Sequence, residues 1–456
     1  MATPRKGDIL DIEIAQVDEK GQGLGSFDGY SVRVRGAIPG DVVRGYIRNV
    51  VNRQRVIELK KTDLLSSAND RILARCSHFG TCGGCVWQDI SYRNQVAIKG
   101  ELVKKCLVDS GIDLEMDDPV GMDPPFFYRN KMEFSFGLSE DGCVAIGLHI
   151  PGRFDHIFDL DACYLQSEFS NKIVAHVRDF ARQRKLSVYN LKTHEGLLRF
   201  LTIREGKNTG ETMVVLTTTG EAFPGAIELC DSLRQKFEGV TCFIHSINDR
   251  KAQVAFGDTE IALSERQTIS ENLADLRFDI SPSSFFQTNT KQAERLYQRV
   301  VAIADPQRTD RVLDLYCGMG GISFFLAKEV DHVLGIEVSD SAIQDAIRNS
   351  SRNGILNCSF MAGPAEDVLR QLAKEEERFD LVVTDPPRVG MHPRAMLALL
   401  ELRPRKIVYV SCNPQALGRD LKILSGSGYK PDYGQLVDMF PHTPHCEVIV
   451  RLVDGQ

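Results

Sequence analysis

The last third of the chain repeats one pattern. RVLDLY, HVLGIEV, CSFMAG, FDLVVTDPP and KIVYVSCNP are short apolar runs, and helically spaced stretches such as GISFFLAKE, DSAIQDAIRNSSRN, EDVLRQLAKEEE, HPRAMLALLEL and PQALGRDLKIL lie between and after them. Apolar runs of this length without alternation read as strands buried on both faces; interleaved with helices they predict a parallel sheet covered on both sides. Ligands of such a sheet bind at the carboxyl ends of its strands. The first 61 residues differ. ILDIEIAQVD, GQGLGSFDG, YSVRVRGAIPGD, VVRGYIRNVVNRQ and RVIELKK alternate apolar and polar positions between turn residues, which predicts a small closed or nearly closed β-barrel. From about Glu101 to Asp275, strand-like pieces follow one another through short turns, with SNKIVAHVRDFARQRKL and FPGAIELCDSLRQKF as helices, predicting antiparallel pairing and an α+β domain. The chain thus divides into a β-barrel over 1–61, a cysteine loop with a central α+β domain over 62–275, and a C-terminal α/β domain over 276–456.

Composition narrows the setting. A length of 456 residues exceeds one core. No apolar run approaches the roughly 20 residues that span a bilayer, and MATPRKGD lacks the apolar segment of a signal peptide, so a cytoplasmic protein without membrane contact is expected. Twelve cysteines in a reducing compartment point to burial, metal binding or catalysis rather than disulfides. The net charge of −7 requires any nucleic-acid affinity to come from a local patch. One exists: from Ser31 to Lys61 eight basic residues stand against two acidic ones, a phosphate-facing surface or a solvated barrel face. In its glycine and strand pattern this stretch resembles the TRAM domain, an OB-like RNA-binding barrel.

CSHFGTCGGC places Cys76, Cys82 and Cys85 in a C-x5-C-x2-C arrangement, and its glycines let the backbone wrap tightly. Three thiolates so close suit a metal better than a core, and Cys163 in LDACYLQ is the choice for a fourth ligand. Zinc and a [4Fe–4S] cluster both accept four thiolates, and spacing does not separate them.

The strand ends of the last third carry the other candidate chemistry. In DLYCGMGG, Asp314, Gly318 and Gly320 form a turn that lets backbone approach a ligand, and Glu337, 23 residues after Asp314, ends the next strand where an acid can accept both hydroxyls of a ribose. No dinucleotide fingerprint or P-loop is present, and the fit is better to S-adenosylmethionine, which needs a ribose acceptor but no phosphate cradle. Glu366 and Asp367 fall where adenine is met in class I methyltransferases. In TDPPR, two prolines hold Asp385 in a rigid extended turn. Arg388 stands where amino-group methyltransferases carry an aromatic residue, which argues against N-methylation. Cys412, after KIVYVS, reaches the same edge. Methylation of a pyrimidine at C5 needs such a thiol, because C5 is not nucleophilic until something adds at C6. If VIVRL is an antiparallel strand of the sheet, Glu447 at its start is a base for the C5 proton, with His442, His445 and Cys446 as alternatives.

DLYCGMGG, TDPPR, VSCNP, HTPHCE and SPSSFFQTN together resemble the RNA uracil-C5 methyltransferase family, over essentially the whole chain. The resemblance implies a class I Rossmann-like methyltransferase domain that makes 5-methyluridine. It implies Cys412 as nucleophile and Glu447 as base, with Asp385 touching cofactor or uracil. Gln287, Tyr316 and Glu337 fall on its cofactor positions beside Gly318 and Gly320, and Phe285 and Arg388 are assigned to the substrate. It also implies a [4Fe–4S] cluster, rather than zinc, on Cys76, Cys82, Cys85 and Cys163. Gly321 departs from the pattern, standing where many members have Asn. The expected partner is RNA, 23S rRNA in the first place and the T-loop uridine of tRNA as the alternative, for a chain acting as a monomer. A different class of reading is an RNA-binding or folding factor that keeps the scaffold without turnover.

Overall fold

A computed structural model of the chain describes residues 4–220, 223 and 225–455. These residues form two compact units: the chain up to Cys106 with Phe440–Cys446, and the chain from Leu107 to Met439 with the described residues from Glu447 onward. Among the described residues no helix is long and apolar enough to cross a membrane.

In the first unit a six-stranded sheet is built from residues 9–66, and its final strand, Val56–Ser66, runs past the Lys61 boundary expected from the pattern. All neighbouring strands pair antiparallel except Tyr30–Val34 with Val56–Ser66. The two edge strands, Ile9–Glu13 and Gln16–Val17, are separated in the chain by only Ile14 and Ala15, so the sheet curls until its edges meet at that corner. Alternation puts Ile12, Val32, Val34, Val43, Ile47 and Ile57 into one core. Buried Asp41 accepts from the Ile38 and Ala68 amides and pairs with Arg71 at 2.5 Å, closing the strand-to-loop junction. Phe440–Cys446 joins this unit: the Val86 and Trp87 amides donate to the His442 carbonyl at 2.9 and 3.1 Å, and Gln95 bonds both the His442 amide and its ring. His442 is thereby spent on structure.

The second unit holds the other sheets. A seven-stranded sheet between residues 131 and 262 packs against the helices Glu168–Gln183 and Gly225–Lys236 around a core that includes Phe134, Ile173, Val177 and Phe243. It is antiparallel as expected, save for Thr212–Thr218 beside Val240–Ile247, whose parallel pairing follows from the helix that connects them. The eight-stranded sheet orders its strands Cys358–Ala362, His332–Glu337, Arg311–Leu315, Leu381–Thr384, Lys406–Ser411, Glu447–Asp454, Tyr429–Val437 and Met116–Val120. The first five are mutually parallel, and Glu447–Asp454 runs against them. Leu313, Leu315, Val382, Val383, Val408 and Val410 are fully buried, as two-sided coverage requires. Met116–Val120 carries no strand signal in its sequence, since it reads MDDPV; as the outermost strand it tolerates exposed acids and a proline.

Candidate active site

The parallel strands deliver their loops to one edge. After Arg311–Leu315 the chain turns through Tyr316, Gly318 and Gly320, which all have positive φ, of 63°, 55° and 88°. A Cβ at Gly320 would meet the Phe324 ring at 2.6 Å, so glycine is required there on two counts. The Gly318 amide donates to Glu337 Oε2 at 3.2 Å and the Ser339 amide to Oε1 at 2.9 Å. Both carboxylate oxygens are thus oriented by backbone and keep lone pairs for a ligand. Buried Asp314 accepts from the Ser323 hydroxyl at 2.5 Å; burial, with Asp385 and Glu337 adding, pushes its carboxyl up to about 7.

Asp385 follows the strand Leu381–Thr384 and its amide donates to Leu315 at 3.3 Å. Cys412 follows Lys406–Ser411 and is partly exposed, presented by the strand end rather than packed. Ser411 pairs with Val448 in the antiparallel ladder, so Glu447, the first residue of its strand, lies at the carboxyl edge beside Cys412. Glu447 is 3% exposed, and its Oε2 is a buried oxygen with no hydrogen-bond partner among the described residues. Burial and then Asp385 push its carboxyl well above the usual range, against the pull of Arg388. Burial pushes Asp385 up to about 7. The Cys412 thiol rises to about 11, through burial, Glu447 and Asp385, with Arg388 opposing. One thiol, two carboxyls and one guanidinium therefore feel one another, in a site that disfavours negative charge until a cation enters.

A pocket of about 420 Å³ of free space, counting its mouth, is lined by Phe285, Gln287, Tyr316, Gly318 and Asp385, five of the residues singled out from sequence, and also by Tyr297. Phe285 stands 66% exposed at its rim. Glu337 and Cys412 do not line this pocket, though Glu337 anchors its glycine turn.

Several supporting residues had no signal in the sequence. Asn413 caps the helix Pro414–Gly426, accepting from Gln415 at 3.0 Å, while its amide donates to the Arg388 carbonyl at 2.8 Å; one side chain thus ties the cysteine loop to the TDPPR loop. Buried Asp420 takes the Tyr409 hydroxyl at 2.6 Å and the Met391 amide at 2.9 Å, fixing the far side of the same loop. Asn130, just before the strand Lys131–Leu138, is buried and donates to the Gln287 carbonyl and to Thr290 Oγ1, both at 2.9 Å. Arg204 holds the Ser281 and Ser284 carbonyls at 3.1 and 2.7 Å and so steadies the segment leading to Phe285.

Cys76, Cys82 and Cys85 lie in the first unit and Cys163 in the second, all partly buried. The Gly84 backbone amide donates to Cys82 Sγ at 3.3 Å, Gln88 Nε2 to Cys85 Sγ at 3.6 Å and the Leu165 backbone amide to Cys163 Sγ at 3.4 Å. Among the described residues no group of three Cys, His, Asp or Glu side chains is gathered around a metal position.

The sheet order, the glycine turn after its central strand and the acid ending the next strand define a Rossmann-like methyltransferase domain. A family model described as tRNA (uracil-5-)-methyltransferase matches residues 228–454. An uncharacterized RNA methyltransferase of Chlorobaculum tepidum is 37% identical, over 98% of this chain and 96% of its own. A second, of Clostridium tetani, is 35% identical over 98% and 97%. Among solved structures, the Pyrococcus abyssi tRNA (uracil-54, C5)-methyltransferase in complex with S-adenosyl-L-homocysteine is similar with a TM-score of 0.79 at 30% identity, over 97% of this chain and 100% of that one. The chain belongs to the RNA uracil-C5 methyltransferase family.

Proposed function

We propose that the chain methylates C5 of a uridine in RNA, with Cys412 as nucleophile and Glu447 as base. The observation that carries this reading is the register of Ser411 against Val448, which brings a buried, unpartnered carboxyl beside a thiol at the strand edge that also bears Asp385. S-adenosylmethionine, when bound, supplies an electrophilic methyl group; Tyr316, Gly318, Gly320, Glu337, Gln287 and Asp385 would hold it. Glu447 and Asp385 ionise when positive charge enters beside them. The Cys412 proton then passes to solvent, which leaves Glu447 ionised for the later step, and its sulfur adds to C6 of the uracil, making C5 nucleophilic. Once C5 carries the methyl group, Glu447 or a water it activates removes the C5 proton, and the C6–S bond breaks to free Cys412. Phe285 offers a stacking face to a uridine turned out of its loop, which costs less than extruding a paired one, and Arg388 lies beside the reacting groups.

For the target we infer 23S rRNA. The basic stretch between Ser31 and Lys61 and the cysteine loop support it, read as a TRAM-like RNA-binding module and a [4Fe–4S] site on Cys76, Cys82, Cys85 and Cys163. The likeness to an archaeal enzyme named for uracil-54 of tRNA favours a second reading, a tRNA T-loop uridine. Mapping 5-methyluridine in rRNA and tRNA from cells lacking the gene tests both. A uridine that loses its methyl group, regains it with the wild-type gene and stays bare with Cys412→Ala is expected. Unchanged 5-methyluridine in both RNAs, or full restoration by Cys412→Ala, contradicts the proposal.

A further inference from the structure

Within the pocket, one polar group has no assigned task. Tyr297 sits on the helix Thr290–Ala304, is 7% exposed and lines the pocket together with Gln287 and Asp385. Its ring meets Phe325 edge-on at 5.5 Å between centroids, which fixes its tilt. Its hydroxyl makes no hydrogen bond among the described residues. That oxygen is not among the fully buried polar atoms left without a partner, so it opens onto the pocket rather than being sealed in the core.

Gly321 explains how it reaches the pocket. A Cβ at that position would lie 2.8 Å from Tyr297 Oη and 2.9 Å from two ring carbons. The space that a side chain would take after the glycine turn is therefore filled by the Tyr297 ring edge and hydroxyl from another helix. The phenol is a committed donor: burial and then Asp385, Asp314 and Glu447 hold its proton in place. Those same three acids supply acceptors for a cation, so the neutral donors of this pocket are the ones suited to an anion.

We propose that the Tyr297 hydroxyl donates a hydrogen bond to the carboxylate at the amino-acid end of S-adenosylmethionine, and that Gly321 is kept small so that this hydroxyl can stand there. The inference rests on the methyltransferase reading above. It makes Tyr297 a cofactor-binding residue supplied by the helix that precedes the sheet.

Calorimetry separates the two readings by using two ligands, S-adenosylhomocysteine and 5′-methylthioadenosine, which share the nucleoside but differ in the amino-acid end. Tyr297→Phe keeps the ring and removes the donor. It is expected to weaken S-adenosylhomocysteine about 10-fold or more, as loss of a hydrogen bond to a charged group does, while methylthioadenosine binding stays unchanged and serves as the control for folding. Gly321→Ala, whose Cβ would push the Tyr297 ring and hydroxyl aside, is expected to weaken the same ligand selectively in the wild-type background. Equal weakening of both ligands by Tyr297→Phe, or of neither, overturns the assignment, as does a Gly321→Ala chain that binds S-adenosylhomocysteine like wild type. A wild-type chain that binds neither nucleoside contradicts the methyltransferase reading itself.

Discussion

Cys412 rests in surroundings that keep its proton on: burial, Glu447 and Asp385 raise its thiol to about 11, and only Arg388 pulls the other way among its charged neighbours. A nucleophile held neutral until its partners arrive avoids side reactions, and a cationic cofactor would shift the balance in the direction catalysis needs. The same carboxyls leave a mark on stability. Asp314 and Asp385 have folded-state values near 7, above their unfolded ones, and Glu447 is raised as well. The folded chain therefore binds protons that the unfolded chain releases, and this stabilisation is complete below the unfolded value of about 4 and is lost as pH rises through about 7. Desolvation lowers His176, His245 and His332, which works in the opposite sense over the same range, so the acid is read by difference: the melting temperature of Asp385→Asn relative to wild type should rise between pH 5 and pH 8, and a difference that stays constant contradicts the burial of this acid. At this scale the strand-end residues Asp314, Asp385 and Cys412 were readable in sequence, because an apolar run announces where its strand stops. Tyr297 and Asn130 were not: one looks like an ordinary helix residue and the other like a strand start, and only the packing reveals what each touches.

Elements, more than single contacts, hold the site in register. The five parallel strands and the reversed Glu447–Asp454 bring residues 314, 385, 412 and 447 to one edge although more than a hundred positions separate the first from the last. Asn413 then joins two of these loops with one side chain. Asn413→Ala removes a helix cap worth about 1 kcal/mol and frees the Arg388 loop. Displacement of the reacting groups by about 1 Å should lower kcat/KM roughly 100-fold, with S-adenosylhomocysteine affinity little changed. Wild-type kinetics in that variant would show that the link is not needed. The alternation of apolar runs and helices made this sheet legible. Met116–Val120 and the return of Phe440–Cys446 to the first unit were not, since an edge strand needs no apolar pattern and a short loop carries no record of what it packs on.

At the scale of the molecule, an acidic chain gathers eight basic residues against two acidic ones between Ser31 and Lys61 of the first unit, and of the four cysteines proposed as ligands it sets Cys76, Cys82 and Cys85 in that unit and Cys163 in the second. Amide N–H groups are directed at the sulfurs of Cys82, Cys85 and Cys163, and the cluster proposed on them is tested by its iron. Protein purified without oxygen should be brown and carry about four irons per chain, and Cys82→Ser should lose both colour and iron. Colourless wild-type protein without iron contradicts the cluster, and stoichiometric zinc in its place assigns the site to zinc. The alternating pattern marks the barrel, but nothing in the sequence marks the extension of the first unit to Cys106 or its inclusion of Phe440–Cys446, because those junctions carry no linker composition.

The central claim is that the Cys412 sulfur bonds to the uracil ring and that Glu447 is needed to release it. Glu447→Gln, incubated with S-adenosylmethionine and an RNA bearing the target uridine, then digested and examined by mass spectrometry, tests both halves at once. A methylated uridine attached to the peptide containing Cys412 is expected. A Glu447→Gln chain that binds RNA and cofactor yet yields no adduct, or one attached to a different cysteine, would contradict it.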